Sequence, residues 1–267
     1  MVLTTSHRKN TTKDYMKKID KNLNKINRVI NYYLSPIFIE KHSILQSIKF
    51  LLNKYYKELQ NKKLLDIGCG SKPYERFFKR LDITYEGIDF KEYSKNISFE
   101  LNKPDFYFHK NYKKDFKMPQ FKNESYDIVT AFQVLAHHEK PERFFSEAGR
   151  ILRKGGYLII SLPFIWELCE EPNDFQRLTH YKIQKLCGEN SMVILETIRR
   201  GGILSTLSQL ANLSLLDLRL PKIIKKVLYR ILLLPCQYLA YFYETFLPYS
   251  KRKIFLGYTF LIKKMSL

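Results

Sequence analysis

Between residue 62 and about residue 200, short apolar runs alternate with stretches of helical spacing. KLLDIG, TYEGIDF, FYFH, YDIVTAF and GYLIISLPF, starting at Lys63, Thr84, Phe106, Tyr126 and Gly156, predict strands. PYERFFKRL from Pro73 and PERFFSEAGRIL from Pro141 predict helices, each entered by a proline that suits a first helical turn. Residues 191–199 (SMVILETIR) predict a sixth strand. Alternation of this kind argues for a parallel sheet covered by helices on both faces.

The flanks read differently. Residues 1–30 are polar and basic. Over 43–59, Ile44, Leu45, Ile48, Leu51, Leu52, Tyr55, Tyr56 and Leu59 recur at helical spacing, which predicts an amphipathic helix with Ser43 as its N-cap. Residues 203–216 carry no charge, and after Lys222, Lys225, Lys226 and Arg230 the run 231–243 is again uncharged. Neither run reaches the ~18–20 apolar residues that span a bilayer, and Pro235 interrupts the second. IFLGYTFLIKK then predicts a closing strand. The expected organisation is an N-terminal arm and helix (1–60), a Rossmann-like α/β core (61–202), an apolar helical insertion (203–250) and a last strand of the core sheet (251–267).

Composition narrows the class. Hydrophobic residues make up 45% of the 267, enough for a real core, which excludes wholesale disorder. The four cysteines (Cys69, Cys169, Cys187, Cys236) form no CxxC pair, so neither a zinc site nor a disulfide framework is indicated, and a cytoplasmic setting is expected. The first residues lack the apolar core of a secretory signal. A formal charge of +20 has two readings: lysines spread over a solvated surface, or attraction to a polyanion, with an anionic membrane ahead of nucleic acid.

Leu64-Leu65-Asp66-Ile67-Gly68-Cys69-Gly70 carries the chemistry. A buried strand delivers an acidic residue and then a tight glycine turn, where backbone approaches a ligand closely at the strand ends. Asp66 would shape that loop and meet a cationic ligand. About 20 residues on, Asp89 ends the next strand, placed to accept hydrogen bonds from ribose hydroxyls. Pro73 occupies the place of the third glycine of a dinucleotide fingerprint, which argues against a pyrophosphate ligand.

The stretch from Leu64 to about Thr179 resembles the class I methyltransferases that use S-adenosyl-L-methionine (SAM), of the type-11 group. It is most similar to the subset found with glycan and envelope biosynthesis. LDIGCGSKPY matches their first motif and GIDF their ribose-binding strand. SYDIVTAFQVLAHHEKPERFFSEAGRILRKGG resembles their fourth strand and following helix, with Gln133 at the strand tip where the group contacts the cofactor. Ala136 replaces the usual glutamate there, and His137 retains the histidine. SLPFIWELCEEPNDFQRLT resembles the subset's loop after the fifth strand, with Cys169 where histidine is usual. The resemblance implies a SAM site formed by Asp66, Gly68, Cys69, Gly70, Asp89, Gln133 and Asp115, the last after the third strand beside the adenine. It implies no resident metal.

Methyl transfer relies mainly on positioning, and needs a base only when the acceptor loses its proton in the transition state. His137 and the loop residues Asp174 and Arg177 are the candidates, against plainer roles in holding the turn and ordering the loop by an ion pair. The expected activity is O-methylation of a small-molecule or lipid-linked glycan, glycolipid or envelope precursor. An RNA methyltransferase and a non-catalytic SAM-fold protein are the alternatives. The insertion either contacts an anionic membrane on its inner face or folds as a lid over the active site.

Overall fold

The computed structural model describes residues 30–90, 104–108, 117–246, 248 and 252–266. A seven-stranded sheet is ordered β3-β2-β1-β4-β5-β7-β6. Its strands are β1 (Lys63–Ile67), β2 (Thr84–Asp89), β3 (Phe106–Tyr107), β4 (Tyr126–Phe132), β5 (Leu152–Pro163), β6 (Met192–Arg200) and β7 (Gly257–Lys264). β7 is antiparallel to both neighbours, and the pairings among β1 to β5 are parallel. The sequence order reverses between β1 and β4, and open α/β sheets bind ligands at such a point, beyond the carboxyl ends of the strands.

The central strands are buried on both faces, as their near-continuous apolar runs require. On one face, Phe144, Phe145, Ala148 and Ile151 of α4 (Pro141–Ile151) cover β4 and β5 together with Ile183 and Leu186 of α5 (His180–Glu189). The other face takes Ile44, Ile48, Leu51 and Leu52 of α1 (Phe38–Lys54), and Phe77 and Phe78 of the short α3 (Glu75–Phe78). Pro141 stands in the first turn of α4, as expected, whereas α3 begins only at Glu75, two residues beyond Pro73.

Ser43 is not an N-cap. α1 begins at Phe38, and the Ser43 hydroxyl donates to the Glu40 carbonyl inside it. The burying stripe extends further back than Ile44, because Phe38 and Ile39 pack against Leu256. At its other end α1 breaks at Tyr55, and α2 (Tyr56–Leu59) completes the expected span.

Between β6 and β7 lie α6 (Ile203–Asp217), α7 (Lys222–Leu228) and α8 (Leu234–Thr245), with α7 joined to α8 by a π-helical turn at Tyr229–Leu233. The turn ends two residues before Pro235, which has no N–H to give to the regular ladder. Among the described residues no helix is long and apolar enough to cross a membrane.

Candidate active site

The glycine turn closes the carboxyl end of β1. Gly68 (φ +69°) and Gly70 (φ +50°) both hold left-handed backbone. A Cβ on Gly68 would lie 2.5 Å from Val134 Cγ2, whereas one on Gly70 would meet nothing within 4 Å. Gly68 is therefore required by the turn and its neighbour, and Gly70 leaves a bare backbone facing open space.

That space is a cavity of 290 Å³ lined by Gly68, Gly70, Asp89, Gln133 and His137, with Phe90 and Phe108 as aromatic walls whose rings lie 4.8 Å apart. Asp89 Oδ2 accepts from the Gly70 N–H at 2.6 Å, and Oδ1 from the Phe90 N–H at 2.7 Å. Burial raises its carboxyl above the ordinary carboxylate value, against those two backbone donors. A carboxylate has about four lone-pair sites, so two remain for hydroxyl donors.

Asp66 lies beneath this cavity. Its Oδ1 accepts from Thr130 at 2.6 Å and its Oδ2 from the Tyr85 hydroxyl. Burial pushes this carboxyl up to about 7 against both hydroxyls. Cys69 is buried against Gly87, and burial raises its thiol well above the usual value. Neither residue lines the cavity; both shape the turn that does.

Gln133 sits at the tip of β4 with φ +62°, a conformation that costs a non-glycine residue energy and persists only where the surroundings impose it. Its N–H donates to Ser161 O at 2.9 Å, and its amide reaches Ser161 Oγ at 3.2 Å and Glu40 Oε1 at 3.3 Å. Glu40, on the buried face of α1, was not among the residues picked out from the sequence. Its spacing of four from Ile44 and seven from Ser47 is the signal that could have found it. Glu40 Oε1 also accepts from the fully buried Arg200 at 2.6 Å. Arg200 lines a second cavity of 420 Å³, between α1 and the insertion, so the chain Arg200–Glu40–Gln133 links one cavity to the other.

His137 lines the cofactor cavity, and its Nδ1 lies 3.0 Å from the Asn173 carbonyl. A carbonyl only accepts, so Nδ1 carries the hydrogen and Nε2 is the acceptor of the neutral ring. Asp174 and Arg177 are not among the lining residues. The Arg177 guanidinium grips both Asp174 oxygens, one at 2.7 Å, and holds the carboxyl down at about 2. Asp174 also accepts from the Cys169 N–H at 2.9 Å, and the Phe175 N–H donates to Ala136 O at 2.9 Å. This network pins the loop against the turn after β4 and sets Glu170 and Asn173 at the cavity mouth.

Potential ligand atoms of His137, Cys169 and Asp174 lie within 4.8 Å of one another. With Arg177 on both carboxylate oxygens and the Cys169 thiol pushed up to about 11, the set is arranged as a hydrogen-bonded latch. Asp115 lies outside the described residues.

A glycine turn and an acidic strand end at the switch point of a sheet with one antiparallel strand are the features of the class I methyltransferase fold. The chain belongs to the methyltransferase-domain family, whose model matches residues 38–200. It is 31% identical over 134 residues to a ubiquinone biosynthesis O-methyltransferase of Pelagibacter ubique, covering 48% of this chain and 52% of that one. It is 26% identical over 134 residues to a sterol 24-C-methyltransferase of Clavispora lusitaniae, covering 47% and 34%. The chain thus spans about half, or less, of the length of these relatives.

In fold it is similar to a SAM-dependent methyltransferase structure from Listeria monocytogenes (TM-score 0.53, 12% identity, covering 85% of this chain and 99% of that one). A structure from Galdieria sulphuraria, described as a sarcosine dimethylglycine methyltransferase, is also similar (TM-score 0.52, 16% identity, covering 83% and 86%). SAM is the cofactor that this family and fold imply, and the residues fit it: a bare glycine backbone, a carboxylate with spare lone pairs, and apolar rings converge on one cavity.

Proposed function

We propose that the protein methylates a hydroxyl oxygen of a glycan, glycolipid or other lipid-linked envelope precursor, in the cytoplasm. The observation that carries this reading is His137 on the wall of the cofactor cavity, its Nδ1 held at 3.0 Å by the Asn173 carbonyl and its Nε2 left to accept a hydroxyl proton. A separate 420 Å³ cavity, on the far side of Gln133, Glu40 and Arg200, offers the hydroxyls of Ser43 and Thr245, the amides of Gln46 and Asn53 and the ammonium of Lys49, groups suited to hydroxyl-rich chains beside the site. The ubiquinone biosynthesis O-methyltransferase among the relatives is named for an oxygen acceptor.

SAM, when bound, supplies a methyl group on a sulfonium centre, open to in-line displacement. Asp89 and the Gly68–Gly70 turn would hold its nucleoside end, with Phe90 and Phe108 excluding water from the base. His137 Nε2 would accept the hydroxyl proton as the oxygen attacks, its ring held by Asn173. Asp174 and Arg177 would keep the loop, and with it Asn173, in place.

The test is turnover of polyprenyl-linked saccharides with labelled SAM, the product located by mass spectrometry. Label on a sugar oxygen is expected, and Asp174→Asn should slow it about tenfold or more while SAM affinity stays within about twofold. Label transferred to RNA instead of saccharide overturns the proposal.

A further inference from the structure

The α6–α8 insertion is built inside out. α6 buries Ser205, Thr206, Gln209 and Asn212 beside Leu213 and Leu215, and α8 buries Gln237 and Glu244 beside Ala240. Gln209 and Gln237 are 0% exposed, while Leu207 is 57%, Phe242 64% and Leu239 69% exposed.

The inner polar groups bond to one another and to nearby backbone. The Asn212 amide donates to Gln237 Oε1 at 2.7 Å and to Pro36 O at 2.9 Å, and Gln209 donates to Pro36 O at 2.9 Å. Glu244 accepts from the N–H groups of Gly202 and Ser205 at 2.6 and 3.0 Å, closing the start of α6. Water favours the reverse, with leucine inside and amide outside. Helices that associate in an apolar medium pack through small residues and hydrogen-bonded polar groups.

α7 buries no residue at all; Ile223 is 78% exposed beside Lys222, Lys225 and Lys226. Arg219 and Arg230 flank it, and no acidic residue occurs from 218 to 243. The exposed apolar face is therefore edged by five cations.

Two occupants fit poorly. None of the residues lining the cofactor cavity comes from 203–246, and the insertion meets the second cavity through Ser205, Tyr241, Glu244 and Thr245, so neither cavity covers Leu207, Leu239 or Phe242. A second copy docked through a two-fold axis would bring the same basic set face to face. We propose that α6–α8 docks the protein on a bilayer containing anionic lipid. The apolar face lies at the headgroup–acyl boundary and the basic residues among the lipid phosphates. The lipid-facing residues Leu207, Ile223, Leu239 and Phe242 are distinct from Ser205, Tyr241, Glu244 and Thr245, through which the insertion lines the second cavity.

Flotation of the full chain with phosphatidylcholine vesicles, with and without phosphatidylglycerol, tests this. Binding is expected only with the anionic lipid, weakening as salt shortens the Debye length. Changing Lys222, Lys225 and Lys226 to Gln should weaken it about fivefold per residue. Leu207→Asn with Leu239→Asn and Phe242→Asn should abolish it, with SAM affinity held within about twofold as the measure of an intact core. A chain that ignores anionic vesicles overturns the proposal. So does a concentration-dependent dimer, seen by sedimentation, that the same triple variant dissolves; that result assigns the face to a second copy. SAM binding is read separately, so neither failure touches the methyltransferase assignment.

Discussion

At the carboxyl edge of β1, β2 and β4, apolar side chains lie in the interior and polar groups close on a cavity. In the insertion between β6 and β7 the polarity runs the other way. Leu64, Leu65 and Ile67 are wholly buried, and Asp89 meets the cavity. Gln209, Asn212 and Gln237 are buried instead, while Leu207, Leu239 and Phe242 face outward. Both regions are apolar in sequence, yet the first turns its apolar side chains inward and the second turns many of them outward. An apolar run reports that a segment must be covered; which atoms turn inward reports what covers it.

The largest effect that would sharpen this contrast is expected at the glycine turn. Gly68→Val forces a β-branched residue into left-handed backbone and onto Val134. Overlap and strain of ~3 kcal/mol or more should weaken SAM binding by about 100-fold or more. Calorimetry returning wild-type affinity would remove the turn from the cofactor site, and loss of vesicle flotation in this variant would couple two regions that the comparison treats as separate.

Asp89→Ala comes next. It deletes the acceptor for ribose hydroxyls and leaves the Gly70 and Phe90 N–H groups without their partner. The expected loss of SAM affinity is ~1–3 kcal/mol; an unchanged titration would place the nucleoside elsewhere.

The smallest effect should be on the stability of the insertion. Ile223→Asn, at an exposed position, should change unfolding free energy by no more than ~0.5 kcal/mol. Leu65→Ala, in the sheet, should cost ~2–5 kcal/mol. Denaturant unfolding in the absence of lipid measures both. A large loss at Ile223 would mean that this face is covered by protein after all.

The strands, the paired glycines, Asp89 and the place of the insertion were legible in the sequence, because each is a local demand. An apolar run in a strand, a φ that only glycine adopts easily and an acidic residue at a strand end are all written within a few residues. Tertiary structure decided the rest, because the deciding partners are distant in the chain. The donors to Asp66 come from Tyr85, 19 residues on, and Thr130, 64 residues on, which turns a candidate ligand group into a buried support for the turn. Glu40 joins the site through Gln133 and Arg200, 93 and 160 residues away. Asp174 lies near Arg177 in sequence, but only the packing of the loop against the turn after β4 places the pair behind the cavity rather than in it. Residues 203–246 show the sharpest limit. Their composition reads equally as a buried lid or a lipid contact, and only the contacts of Gln209, Asn212, Gln237 and Glu244, made across helices, determine which side chains face outward.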